Sequence, residues 1–301
     1  MTVPYQISKH VSVVTISLLL TVFIGCTTNP YTQRSQLLII PQGYENQMGE
    51  QAYQELSNDP QITISTNPKE VDPVKRVAAR IIEAAKHSKY AKAAQQFDWE
   101  VSVIKDDATK NAFALPGGKI AVYTGIFPEA SNEAGLAAIL GHEVIHALAR
   151  HGAERMSQGL LAQFGMTAAA VALQTQGLNP QMNQLAMQAF GLGTKVGILL
   201  PFSRRHESEA DYVGLLLAAH AGYDPQEAVR VWQRMAAKSE GQPPEFMSTH
   251  PAHETRIADL QQWMAEALPI YTQAAKAPVS DLPTITPSPA GRVPTTPSQS
   301  R

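Results

Sequence analysis

The pentapeptide His142-Glu143-Val144-Ile145-His146 constrains this chain more than any other stretch, because it makes chemical sense only on a helix. Residues four apart lie one turn from each other on the same face, close enough for both imidazoles to reach one metal ion. Glu143, one residue on, cannot easily share that coordination shell and faces the water that completes it, which is the place of a general base. The surrounding run GLAAILGHEVIHALARH carries apolar residues at helical spacing, Ser131 or Asn132 can cap its start, and Glu133 puts negative charge in the first turn. The competing reading is a core helix whose histidines are merely hydrogen bonded.

A hydrolytic site with two histidines needs a third protein ligand, usually from a separate helix, and the best source is the stretch Ser203 to Asp211. Glu207 and Asp211 are four apart and share a face, while Glu209 points roughly opposite. This selects Glu207 as the ligand. Asp211, one turn later, is placed to accept the free N–H of a ligating histidine and so fix its tautomer. His206 and Glu209 are expected on a solvated face.

Further motifs stand in order around these: Asn111-Ala112-Phe113-Ala114, Gly117-Gly118, Val122-Tyr123-Thr124-Gly125, Arg150-His151, and Ser248-Thr249-His250-Pro251 with Arg256-Ile257. Over roughly residues 40 to 265 the chain resembles the zinc metallopeptidase family of the CAAX prenyl proteases and the Oma-type proteases, with the bacterial periplasmic BepA-like and LoiP-like lipoprotein peptidases nearest in pattern. The resemblance implies an α+β, mainly α fold, a gluzincin-like zincin domain with a small β-sheet beside the HExxH helix. It implies one Zn2+ per chain held by His142, His146 and Glu207, with Glu143 as catalytic base. It places Asn111 beside the substrate strand near the metal and His250 close to the zinc, where the corresponding histidine of periplasmic members can occupy the open position and hold the enzyme off. The alternative for His250 is a loop histidine that caps the next helix; His151 and His253 carry weaker signals still.

The N-terminus reads as a leader. Lys9 and His10 precede an apolar run from Val11 to Ile24, the length of a signal-peptide core, and Gly25-Cys26 follows at once. The pattern looks like a lipoprotein signal over residues 1–25 in which Cys26, the only cysteine, becomes the lipidated first residue of the mature chain. The expected address is the bacterial periplasm, anchored by lipid to the outer membrane; an uncleaved short anchor is the alternative. Residues 26–43 are expected as the lipidated terminus and a tether, 44–272 as the peptidase domain, and the Pro-, Ser- and Thr-rich 273–301 as a disordered tail.

With 24 basic and 26 acidic residues the formal charge is −2, which leaves no electrostatic footprint for nucleic acid. Helices are expected from Tyr44 to Leu56, from Asp72 to Gln96 with Asp72-Pro73 as its opening, from Asp224-Pro225 to near Gly241, and from Ala252 to Ala267. Strands are expected at Phe97–Ile104, Asn111–Leu115 and Ile120–Thr124, the last two joined by a hairpin at Pro116-Gly117-Gly118. The edge of such a sheet can pair with an extended peptide and lay it across the metal through main-chain bonds. From Leu160 to Phe202 the only charge is Lys195, and the segment reads as a helical pair that packs in the core, over the cleft or against lipid.

Together these observations lead to a zinc endopeptidase, and the resemblance implies that it acts on unfolded or misfolded cell-envelope polypeptides in quality control, its partners being those substrates, the membrane surface through its lipid and outer-membrane assembly machinery. A zinc-stabilised chaperone-like binding module with latent or negligible proteolysis, and a small-peptide peptidase, are the alternatives.

Overall fold

In the computed structural model the described residues are 26–161, 203–237, 246, 250 and 255–285. The expected signal peptide (1–25), nearly all of the expected helical pair (162–202), His253 and the end of the tail lie outside them. Mainly helical elements surround a small mixed sheet. Strands β1 (Cys26–Thr28) and β2 (Ser35–Leu37) form an antiparallel ribbon, and helices α1 (Gln42–Asn58), α2 (Pro68–Lys86) and α3 (Ala91–Gln96) follow. Strands β3 (Glu100–Ile104), β4 (Ala112–Leu115) and β5 (Lys119–Tyr123) lead through a turn and the short α4 (Phe127–Ala130) into α5 (Glu133–Leu148). A helix α6 over 151–161, then α7 (Arg204–His220), α8 (Gln226–Ala237) and α9 (Arg256–Gln273) complete the described elements.

Several boundaries move for local reasons. Helix α2 opens at Asn67-Pro68, not Asp72-Pro73: Asn67 Oδ1 caps the Lys69 amide, and the apolar face that buries Val74, Val77, Ala78 and Ile81 gains an extra turn upstream. The chain breaks at His87 to Tyr90 before α3, where Ser88 Oγ donates to the Ala85 carbonyl. Asn132 caps α5, its Oδ1 accepting from the amides of both Ala134 and Gly135. Helix α8 opens as expected with Asp224 Oδ1 accepting from Gln226 N, and α9 begins at Arg256 and runs to Gln273, six residues past the expected end.

The sheet order is β3-β5-β4, with β3 parallel and β4 antiparallel to β5. The β4–β5 turn uses Gly117 and Gly118 at φ +84° and +99°, a region side-chain-bearing residues rarely adopt. β4 is therefore an edge strand, and it packs beside α5. Helix α5 is buried on every side; its core contacts run to α2, β4, α7 and α8. It crosses α7 at Gly141 and Gly214, where backbones touch: a Cβ at Gly141 would stand 2.8 Å from the Gly214 carbonyl oxygen.

Two segments expected to be loose are docked. The 26–43 segment is not a free tether: its ribbon is tied down by Asn29 Nδ2 donating to Tyr90 Oη (2.7 Å), Gln36 Nε2 donating to the Ala149 carbonyl (2.8 Å) and Ile39 N donating to Ser157 Oγ (2.9 Å). Residues 274–285, expected within a disordered tail, run as a strap along the domain, with Ala277 N donating to the Gly222 carbonyl, Leu282 N to the Ser131 carbonyl, and the Ser280 carbonyl accepting from Glu133 N at the start of α5. Leu282 is buried, and it supplies the apolar anchor that composition concealed. No helix among the described residues is long and apolar enough to cross a membrane.

Candidate metal centre

Helix α5 presents His142 and His146 one turn apart, and α7 brings Glu207 across from its first turn. The two imidazole Nε2 atoms lie 3.0 Å apart, 3.5 and 3.4 Å from the Glu207 carboxylate oxygens. His250 joins them: its Nδ1 is 3.2 Å from His142 Nε2 and 3.1 Å from Glu207 Oε1. One donor atom from each of the four lies within 4.8 Å of all the others, and all four residues are buried. A tetrahedral ion with bonds of about 2.0–2.1 Å separates its ligand atoms by about 3.3–3.4 Å, so the donor set fits such an ion.

The surroundings orient each ligand. His142 Nδ1 is 2.8 Å from Asp211 Oδ1, the arrangement in which the ring donates to a carboxylate and turns Nε2 inward. Asp211 is gripped by Arg256, whose Nη2 and Nε each approach its oxygens to 2.6 Å, while Nη1 lies 3.3 Å from Glu207. The Arg256 guanidinium sits 3.4 Å over the Trp232 ring. His146 is backed differently: its Nδ1 lies 3.0 Å from His151 Nδ1.

Burial and charge set the protonation of the metal-free protein. Burial works against a charged His142, but Asp211 and Glu207 outweigh it and raise the ring to about 9. Burial, with His142 beside it, pushes His146 well down. Burial lowers His151 to about 4, despite its contact with Glu209, so that ring is neutral. Burial raises Glu143, the direction a general base needs. Glu207 is buried too, yet its bonds to His142 and His250 hold it well below the carboxylate range; in Asp211 burial is overcome by Arg256 and His142.

Glu143 Oε1 lies 3.9 Å from His142 Nε2 and 3.5 Å from His250 Nε2, at the rim of the donor set. Asn111 immediately precedes edge strand β4, where its Oδ1 accepts from the Ala112 amide. The expectation that His206 and Glu209 face solvent is wrong. Both are buried, His206 Nε2 lying 3.1 Å from Glu154 and Glu209 accepting from Arg34 and Thr32. Helix α7 is enclosed on nearly all sides, so a two-face reading of its polar residues fails. Arg34 also acts around the site without having been singled out, while Arg256 and His151 stood in the quoted motifs without an assigned role; the available signal was that charged side chains in buried surroundings require partners.

A buried His-His-Glu donor set on crossed helices, with a carboxylate beside it, defines a metallopeptidase. Comparisons with known proteins agree. The model of peptidase family M48 matches residues 69–264. The mitochondrial metalloendopeptidase OMA1 of Schizosaccharomyces pombe is 37% identical over 243 residues, 79% of this chain and 66% of that protein. The human mitochondrial OMA1 is 31% identical over 273 residues, 86% of this chain and 50% of that one. The beta-barrel assembly-enhancing protease of Escherichia coli is 30% identical over 169 residues, covering 55% of this chain and 34% of that one. The chain thus spans between a third and two thirds of the length of these relatives. It belongs to peptidase family M48.

One expectation falls here. The bacterial periplasmic, outer-membrane-anchored address is overturned by these comparisons, in which relatives from fungi, plants and animals are mitochondrial proteins. An apolar leader followed by one cysteine was too generic a pattern to fix a compartment.

Proposed function

We propose that this chain is a zinc-dependent endopeptidase that cleaves unfolded or misfolded polypeptides in protein quality control. The observation that carries the proposal is the convergence of His142, His146, Glu207 and His250 with Glu143 at their rim. Zinc held by His142, His146 and Glu207, with the fourth position left to water, would supply Lewis acidity and an acidified water of pKa roughly 7. Glu143, its pKa raised by burial, takes the proton of the attacking water on its carboxylate and passes it to the leaving nitrogen. Asp211 and Arg256 keep His142 turned inward throughout. Edge strand β4 accepts an extended substrate by main-chain pairing that is indifferent to side chains, which suits unfolded chains.

His250 makes the arrangement a resting one. Four protein donors close a tetrahedral site, whereas a hydrolytic zinc keeps one position for water. His250 stands at a bend with its ring stacked on Phe246 at 4.6 Å, and its withdrawal would open the site. The alternative, a zinc-stabilised binding module, draws on the same closure.

Cleavage of an unfolded fluorescent protein, with zinc content measured alongside, tests both. His250→Ala is expected to raise turnover while zinc is retained, and Glu143→Gln in that background to abolish it. Zinc-loaded wild type and His250→Ala that both fail to cleave would make the chain a binding module.

A further inference from the structure

The two metal-binding histidines are backed unequally. His142 leans directly on a carboxylate, but His146 leans on a second histidine, and behind that histidine runs a chain of contacts that leaves the catalytic helices altogether. His146 offers Nε2 to the donor cluster, so its Nδ1 carries the proton and donates to His151 Nδ1 at 3.0 Å. His151 then carries its proton on Nε2, which faces Glu209 Oε1 at 3.5 Å. Glu209 accepts from Arg34 Nε at 2.8 Å and from Thr32 Oγ1 at 3.2 Å. Both imidazole donors point toward Glu209, and that carboxylate, which accepts from Arg34 and Thr32 on its other side, is neutralised by a guanidinium from the turn of the β1–β2 ribbon.

A second leg fixes the plane of the His151 ring. His206 stacks on it at 4.5 Å and 18° and lies 3.1 Å from Glu154 Oε2. The same Arg34 grips Glu154 through both terminal nitrogens, at 2.6 and 2.8 Å, and Gln36 adds a third contact at 3.1 Å. One arginine therefore bridges two buried carboxylates, each of which meets one ring of the stacked pair. A lysine, a point charge without the planar fork, cannot hold both.

We propose that Arg34 is a positioning residue of the metal site: acting through Glu209 and His151, it holds the His146 imidazole in the tautomer and orientation that present Nε2 to the metal, so the N-terminal ribbon is a working part of the catalytic unit. The inference rests on the reading of His146 as a metal ligand. It makes the ribbon a handle. Tension on the chain ahead of it, or a partner that lifts it, withdraws the support of one ligand without touching the cleft.

The test uses the full chain and competition for Zn2+ by a chromophoric chelator, with zinc release followed in stopped flow and thermal melting in parallel. Loss of a group that orients a ligand lowers metal affinity by about 10–100-fold. Arg34→Ala is expected to weaken zinc by about tenfold and quicken its release, His151→Leu to do at least as much, and the double variant no more than His151→Leu alone, because the two act in series. Arg34→Lys, which keeps a cation in place should the alanine variant not fold, is expected to fall between Arg34→Ala and wild type. Unchanged zinc affinity and release in Arg34→Ala and Arg34→Lys, whatever their melting temperatures, would reduce the ribbon to a structural latch and overturn the proposal; so would factors that multiply independently in the double variant. A wild-type chain that binds no zinc would instead overturn the metal assignment itself.

Discussion

Replacing Gly214 by alanine sets two physical effects against each other. Intrinsic helix propensity favours alanine by about 1 kcal/mol. The new Cβ, however, would stand 2.8 Å from His142 N, 2.9 Å from Gly141 C and 3.0 Å from Gly141 O, all backbone atoms of buried α5. Non-bonded heavy atoms settle near 3.5 Å, so relief requires α5 and α7 to part by about 0.5–0.7 Å. Overpacking of this kind costs about 1–3 kcal/mol. The net change is a loss of up to about 2 kcal/mol, or a melting temperature lower by up to roughly 4–8 °C. The metal reports the displacement more sharply. His142 follows Gly141 on one helix and Glu207 lies two turns before Gly214 on the other, so the 3.4–3.5 Å spacings between the histidines and Glu207 open with the crossing. Sites of this kind tolerate about 0.5 Å, and zinc affinity is expected to fall tenfold or more. Melting curves and chelator competition measure both, with Gly159→Ala as control, since a Cβ there meets nothing within 4 Å. A Gly214→Ala protein that melts above wild type and keeps its zinc affinity would show that propensity dominates and that the crossing does not set the metal geometry.

Glu154 gives a dependence on pH. Burial raises its pKa, but bonds from His206, Arg34 and Gln36 prevail and hold it at about 2, against an ordinary value of 4.5. A carboxylate depressed on folding stabilises the fold fully above pH 4.5, and that contribution drains away as pH falls toward 2; melting temperatures measured across this window are expected to fall less steeply for Glu154→Gln, and parallel slopes would contradict the assignment. Asn132→Ala removes the cap of α5 and is expected to cost about 1 kcal/mol, with zinc stoichiometry retained, as read by denaturant unfolding and metal analysis.

Sequence periodicity reached the site's centre because that part is local. The spacing of His142 and His146 is dictated by one helical turn, and Glu207 with Asp211 by another, so a single chain of reasoning placed all four. The hairpin at Gly117-Gly118 was visible for the same reason, since positive φ leaves a glycine signature. What surrounds the site was not visible. His206 and Glu209 sit on a helix enclosed by other helices, and a one-dimensional pattern assigns polar residues to solvent unless their partners are known. Those partners, Arg34 and Glu154, come from distant positions, and nothing in the composition of 26–43 distinguishes a docked ribbon from a tether. The strap at 274–285 was masked likewise: a segment rich in proline and alanine reads as loose until Leu282 is seen buried.

The docked strap and ribbon also decide when the metal site can be completed. Helix α5 has the local sequence to form as soon as it leaves the ribosome, but its first turn is closed by the Ser280 carbonyl and the turn before it by Leu282 N. The backing of His146 needs Arg34 to find a glutamate 175 residues later. Contacts between such distant residues form slowly and late. A growing chain therefore holds its histidines in a helix before the donor set is backed, and the metal site is complete only after the last of these pieces has been made.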